Sequence, residues 1–196
     1  MKIINSVHPE DFKHYTTAVI RDRFLLNNLV QPGKIYCVYT HYDRMIVGVA
    51  NPAGEPLQLE NYANLRAGFF LERRELGLIN VGGSGTVATD GNTYSLNKLD
   101  CLYVGKGVKS VTFLSDDPDK PAVFYLLSAP AHAVYPVTLM TNSEAAKGKL
   151  GDPSTANLRT INCVYTHYDR MIVGAANPAG QPLQLENYAS LRADFF

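Results

Sequence analysis

From Lys34 onward the chain runs in short β-forming stretches, each halted by a cluster of turn residues. Lys34 to Val49 is rich in β-branched and aromatic residues, among them Tyr36, Val38, Tyr39, Met45, Ile46 and Val47, and stops at Asn51-Pro52-Ala53-Gly54. Leu76 to Val81 is an apolar run closed by Gly82-Gly83-Ser84-Gly85. Val87–Thr89 and Thr93–Leu96 flank Asp90-Gly91-Asn92, a hairpin signal because glycine tolerates positive φ. Cys101–Val104 and Val108–Leu114 flank Gly105-Lys106-Gly107, and Ala122–Ser128 follows the loop Asp116-Asp117-Pro118-Asp119. Short strands punctuated this often predict an all-β antiparallel sandwich or barrel. The N-terminus departs from the pattern. His8-Pro9-Glu10-Asp11 reads as the start of one short helix, with Phe12, Tyr15 and Val19 as its apolar stripe.

The organisation after the β region is unusual. Cys163–Phe196 nearly copies Cys37–Phe70, differing only at Val49/Ala175, Glu55/Gln181, Asn64/Ser190 and Gly68/Asp194. Repeats that stack into solenoids recur at periods of roughly 20–50 residues and in several copies, which one distant copy does not match. The chain therefore divides into a β domain over 1–140, a polar linker or arm over 141–162, and a copy over 163–196. Two near-identical segments compete for one place in a sheet, so the copy is expected to be poorly ordered or swapped between chains. The first copy, with its short connections, is expected to hold the place.

Composition narrows the functions. The 196 residues are 46% hydrophobic, enough for a buried core, and carry 18 basic and 18 acidic side chains with no basic block, so nucleic-acid binding has no electrostatic footprint. The start carries Glu10 and Asp11 in place of a long apolar core, which argues against a signal peptide, and no apolar run reaches membrane-spanning length. Cys37, Cys101 and Cys163 are far apart and odd in number, which reads as free thiols in a cytoplasmic protein.

Candidate chemistry gathers in two stretches. Leu71-Glu72-Arg73-Arg74-Glu75-Leu76-Gly77 is the densest charged cluster. On a strand, Glu72 and Arg74 share one face and Arg73 and Glu75 the other, so each face offers an acid beside a base. That arrangement suits anion binding or proton transfer, and equally an ion-pair network facing solvent or a subunit. In Thr40-His41-Tyr42-Asp43-Arg44, His41 and Asp43 project to one side as a candidate metal pair, or as a structural hydrogen bond; a catalytic zinc takes three protein ligands and no third lies at a supporting spacing. His167 and Asp169 repeat the pair. Lys106, between two glycines at a strand corner, is placed to reach a carboxylate ligand or to sit in a surface turn. Gly82–Gly85 precedes a strand and so reads as a tight turn, since a phosphate cradle opens a helix. His132, beside Pro130, reads as structural.

The motifs HPEDFKHYTT, VYTHYDRMIVG, FFLERRELGLINVGGSGTV, LYVGKGVKSVTF, SAPAHAVYP and LGDPSTANLRTIN stand in order across residues 1–162. Together they resemble the 5-keto-4-deoxyuronate isomerases, ketol-isomerases of bacterial pectin and uronate breakdown. The resemblance implies a cupin-like β-sandwich, from a two-half protein that is commonly hexameric, so a homo-oligomer is expected. It implies interconversion of 5-dehydro-4-deoxy-D-glucuronate and 3-deoxy-D-glycero-2,5-hexodiulosonate, with a zinc ion polarising the carbonyl while a base moves the proton. The family's zinc ligands lie in its C-terminal half on an H-x-H…E…H pattern. This chain has no H-x-H, and its RTIN is followed by the copy, so no zinc ligand carries over and none is expected here. The implied outcomes are an isomerase represented by one half and inactive alone, or a non-catalytic cupin module for assembly or uronate binding.

Overall fold

The computed structural model describes residues 1–150 and the strands Arg159–Tyr165 and Ile172–Asn177, with side chains described for residues 1–145. Two sheets face each other. One has seven strands: β1 (Lys2–Ile4), β2 (Lys34–Thr40), β3 (Ile46–Asn51), β5 (Arg74–Asn80), β8 (Cys101–Val104), β10 (Phe124–Pro130) and β11 (Thr138–Met140), in the order β1-β2-β3-β10-β5-β8-β11. The other has four: β4 (Leu57–Gln58), β6 (Gly85–Thr89), β7 (Asn92–Leu96) and β9 (Val111–Ser115), in the order β4-β9-β6-β7. Pairing is antiparallel except where β1 runs parallel to β2. The predicted all-β antiparallel sandwich is thus the observed fold.

Strand alternation explains the core. In β5, Leu76 and Leu78 point inward while Glu75 and Ile79 lie on the opposite face, as a two-residue period demands. Phe113 of β9 meets Phe124 of β10 across the sandwich with ring centroids 5.4 Å apart, and neither exposes any surface. Burying an aromatic ring of this size stabilises the fold by roughly 1.5–3 kcal/mol, so this pair clamps the two sheets.

Asn80 fastens the end of β5. Its Nδ2 donates to the carbonyls of Gly83 (2.7 Å) and Leu96 (3.0 Å), and its Oδ1 accepts from the amides of Gly82 (3.1 Å) and Val123 (3.3 Å). Glycines are required here because a Cβ on Gly83 would lie 1.9 Å from the Lys120 carbonyl oxygen. The Gly82–Gly85 stretch is therefore a close backbone crossing leading into a strand.

Several expectations need correction. The stretch from Lys34 to Val49 is two strands joined by a tight turn, which the sequence hides because Asp43 (φ 50°) and Arg44 (φ 54°) hold left-handed positions that glycine or asparagine usually takes. The single N-terminal helix is two, α1 (Pro9–Phe12) and α2 (Thr17–Phe24), because Thr16 starts a new helix by accepting from the Val19 amide. Phe12 and Val19 are exposed, so they form no buried stripe. The stretch read as a polar linker holds β12 (Ala146–Leu150) and the start of β13 (Arg159–Tyr165).

The first copy's hairpin, β2–β3, sits in the seven-stranded sheet, and the second copy's hairpin, β13 with β14 (Ile172–Asn177), forms a separate three-stranded sheet with β12. The register is conserved between the copies: Cys37 pairs with Gly48 and Cys163 with Gly174. Near-identical sequence has given the same strand register in two settings. The rest of the copy lies outside the described residues.

Candidate functional site

The inward row of β5 begins with an arginine. Arg74 stands two residues before Leu76, so alternation aims it at the interior where the sandwich opens. It is only 7% exposed. Its Nε donates to the Ser128 hydroxyl at 3.1 Å, and its Nη2 donates to the Ser128 carbonyl at 2.8 Å and the Arg44 carbonyl at 2.6 Å. The guanidinium carbon lies 5.9 Å from the centre of the Tyr39 ring, within cation–π range. Burial, with a smaller contribution from Arg44, lowers its pKa to about 10, so it stays charged near neutral pH.

Beside it opens a cleft of about 210 Å³, lined by Arg44, Arg73 and Arg74 together with Tyr39, Asn64, Leu65, Ala67, Phe70 and Pro130. Three cations line it and no carboxylate does. Arg44 reaches it from the left-handed turn between β2 and β3, and Arg73 from the turn that precedes β5. Glu72 accepts from the Gly68 amide and lies 3.6 Å from Arg73. Among the described residues, neither Arg44 nor Arg74 forms an ion pair.

The charged cluster is therefore arranged differently from its sequence reading. The strand starts only at Arg74, so the facing of Glu72 with Arg74 and of Arg73 with Glu75 does not occur. Glu72 and Arg73 occupy the preceding turn. Glu75 projects to the far side of the sheet, 1% exposed, and accepts from the Tyr103 hydroxyl at 2.7 Å. Glu75 is thus separated from Arg73 and Arg74 by the sheet itself, and Glu72 stays in the turn beside Arg73. Lys106 lies in the turn after β8 and does not line the cleft. That corner needs glycine, because a Cβ on Gly105 would lie 2.0 Å from the Tyr135 carbonyl oxygen.

His41 packs edge-on against Tyr39, with centroids 5.1 Å apart, and Asp43 occupies the turn apex; no hydrogen bond joins them among the described residues. His8 caps α1 by accepting from the Glu10 amide at 3.2 Å, and His132 is exposed. Among the described residues no three His, Cys, Asp or Glu side chains converge. A zinc site of the kind the resemblance implies does not fit these residues. His167 and Asp169 lie outside the described residues. Cys37 and Cys101 are buried free thiols, and burial raises the pKa of both. No described helix is long and apolar enough to cross a membrane.

The sequence reading found Arg73 and Arg74 but missed Arg44, Tyr39 and Phe70 as their neighbours. The available signal was Tyr-Asp-Arg-Met interrupting a β stretch, a turn without the usual turn residues. The copy contains counterparts of Tyr39, Arg44 and Phe70 at Tyr165, Arg170 and Phe196.

Facing antiparallel sheets with a cleft at the open end define a cupin-like β-sandwich protein. The chain belongs to the KduI/IolB family, which its residues 29–181 match. It is 50% identical over 166 residues to a 4-deoxy-L-threo-5-hexosulose-uronate ketol-isomerase of Formosa agariphila, covering 85% of this chain and 57% of that protein. It is 47% identical over 169 residues to the protein of the same name in Shouchella clausii, covering 86% and 61%. The chain thus spans little more than half the length of these relatives. Among solved structures it is similar to an IolB-like protein of Salmonella typhimurium, with TM-score 0.47, 18% identity, and coverage of 61% of this chain and 43% of that one.

Proposed function

We propose that this protein serves the ketol-isomerisation of 4-deoxy-L-threo-5-hexosulose uronate, with residues 1–150 recognising the sugar acid and no turnover by this chain alone. The observation that carries the reading is a buried arginine without an ion pair among the described residues, beside two more in a cleft, on a chain half identical to enzymes named for that reaction. A uronate is an anion at neutral pH, and a cationic cleft without carboxylates complements it. Isomerisation also needs something to polarise the carbonyl, and the described residues gather no metal-ligand set for a Lewis acid. Recognition is what these side chains offer.

Incubation of the purified chain with 4-deoxy-L-threo-5-hexosulose uronate, followed by NMR with and without added zinc, tests this. No conversion is expected in either condition. Steady conversion that survives Glu72→Gln and Arg74→Lys yet dies on chelation would overturn it.

A further inference from the structure

We infer that Arg44, Arg73 and Arg74 form a receptor for the carboxylate of a single hexuronate-sized sugar acid, with Arg74 as the buried anchor. The sugar identity rests on the proposed function; the receptor itself rests on geometry.

An unpaired charge taken out of water is costly. Among the described residues Arg74 is held by neutral groups: one hydroxyl and two carbonyls on Nε and Nη2, and the Tyr39 ring. Nη1 has no hydrogen-bond partner among the described residues, and the side chain lines the cleft. The two Nη1 N–H groups remain to donate to a carboxylate oxygen, with the second oxygen left for Arg44 or Arg73.

The neighbours sharpen the choice. Arg44 adds a second positive charge that no described residue neutralises, and it does so from a strained left-handed backbone position. Arg73 supplies a third, shared with Glu72 at 3.6 Å. Three like charges around one small space repel each other until an anion enters, so binding relieves repulsion as well as forming bonds. The volume of about 210 Å³ lies below the roughly 300–1,000 Å³ of drug-sized pockets. Tyr39 and Phe70 give the cleft aromatic surface suited to the C–H face of a sugar ring.

The probes are D-galacturonate, its methyl ester, D-galactose and inorganic phosphate, titrated into the full chain by calorimetry at low salt. Galacturonate is expected to bind saturably, galactose and the ester at least tenfold more weakly, and phosphate more weakly than galacturonate. Arg44→Gln and Arg73→Gln, both at exposed positions, are expected to weaken galacturonate at least tenfold with unchanged melting temperature. Absence of saturable galacturonate binding, equal binding of galactose, binding of phosphate as tight as galacturonate, or affinity unmoved by both substitutions overturns the receptor. The two proposals fail separately. Carboxylate binding without any part in isomerisation leaves the receptor standing, and steady conversion by a chain that still binds galacturonate overturns the proposed function while leaving the receptor standing.

Discussion

Nη2 of Arg74 donates to the carbonyl of Arg44 at 2.6 Å, tying the first inward residue of β5 to the turn between β2 and β3, 30 positions earlier. One side chain thus lines the cleft and fixes the loop carrying a second lining cation. Lysine keeps the charge but cannot serve three acceptors in the geometry of a planar fork. Bonds from a charged donor contribute about 1.5–3 kcal/mol each. Arg74→Lys is therefore expected to lower stability by about 1–3 kcal/mol, read as a fall in the urea midpoint at constant slope.

Arg44 gives the opposite expectation for stability. A non-glycine residue at left-handed φ costs roughly 1–2 kcal/mol, and its carbonyl, which Arg74 needs, belongs to the backbone. Arg44→Gly is expected to raise stability by about 1 kcal/mol in urea denaturation while weakening galacturonate binding. A loss of stability on that substitution would show that the Arg44 side chain itself holds the turn.

Asn80 has every side-chain hydrogen-bonding position filled, two donors to carbonyls and two lone pairs to amides, with no exposure. Asn80→Asp would set a buried carboxylate against the carbonyls of Gly83 and Leu96. Burial and those acceptors favour the protonated form, so the folded-state pKa rises above the usual value of about 4. Stability of the variant is then best below that value and falls as pH rises through the folded-state pKa. We expect a deficit from the parent chain of at least about 3 kcal/mol at pH 7, and a smaller one at pH 4, by urea denaturation at both.

Cys101 supplies a pH test on the alkaline side. Burial first, and the nearby Asp100 charge second, push its thiol from the ordinary 9.0 up to about 12. The folded chain holds this proton more tightly than the unfolded one. The resulting stabilisation is whole below about pH 9 and is lost as pH climbs from there toward 12, by at most about 1.4 kcal/mol per pH unit. Cys101→Ala is expected to show a shallower decline than the parent between pH 8 and 10.5. Parallel curves for the two proteins would mean that the thiol ionises equally in both states.

Much of this protein was determined by local sequence. Asp90-Gly91 makes a hairpin because positive φ suits it, and both residues adopt it, at 41° and 92°. The run Leu76–Ile79 is a strand whose alternate residues face the core, and the duplicated Cys-Val-Tyr…Ile-Val-Gly segments fold into hairpins of one register wherever they stand. Turn chemistry and side-chain period act over a few residues, so they are visible without coordinates. What the LERRE cluster does was decided elsewhere. The strand's starting point turned Arg74 inward and Glu75 outward, and the β3-β10-β5 pairing brought Ser128 and the Arg44 carbonyl within reach of one guanidinium. Charge spacing along the chain gives no measure of that, because whether an arginine pairs with an acid beside it or a carbonyl across a sheet depends on which of them shares its side of the sheet.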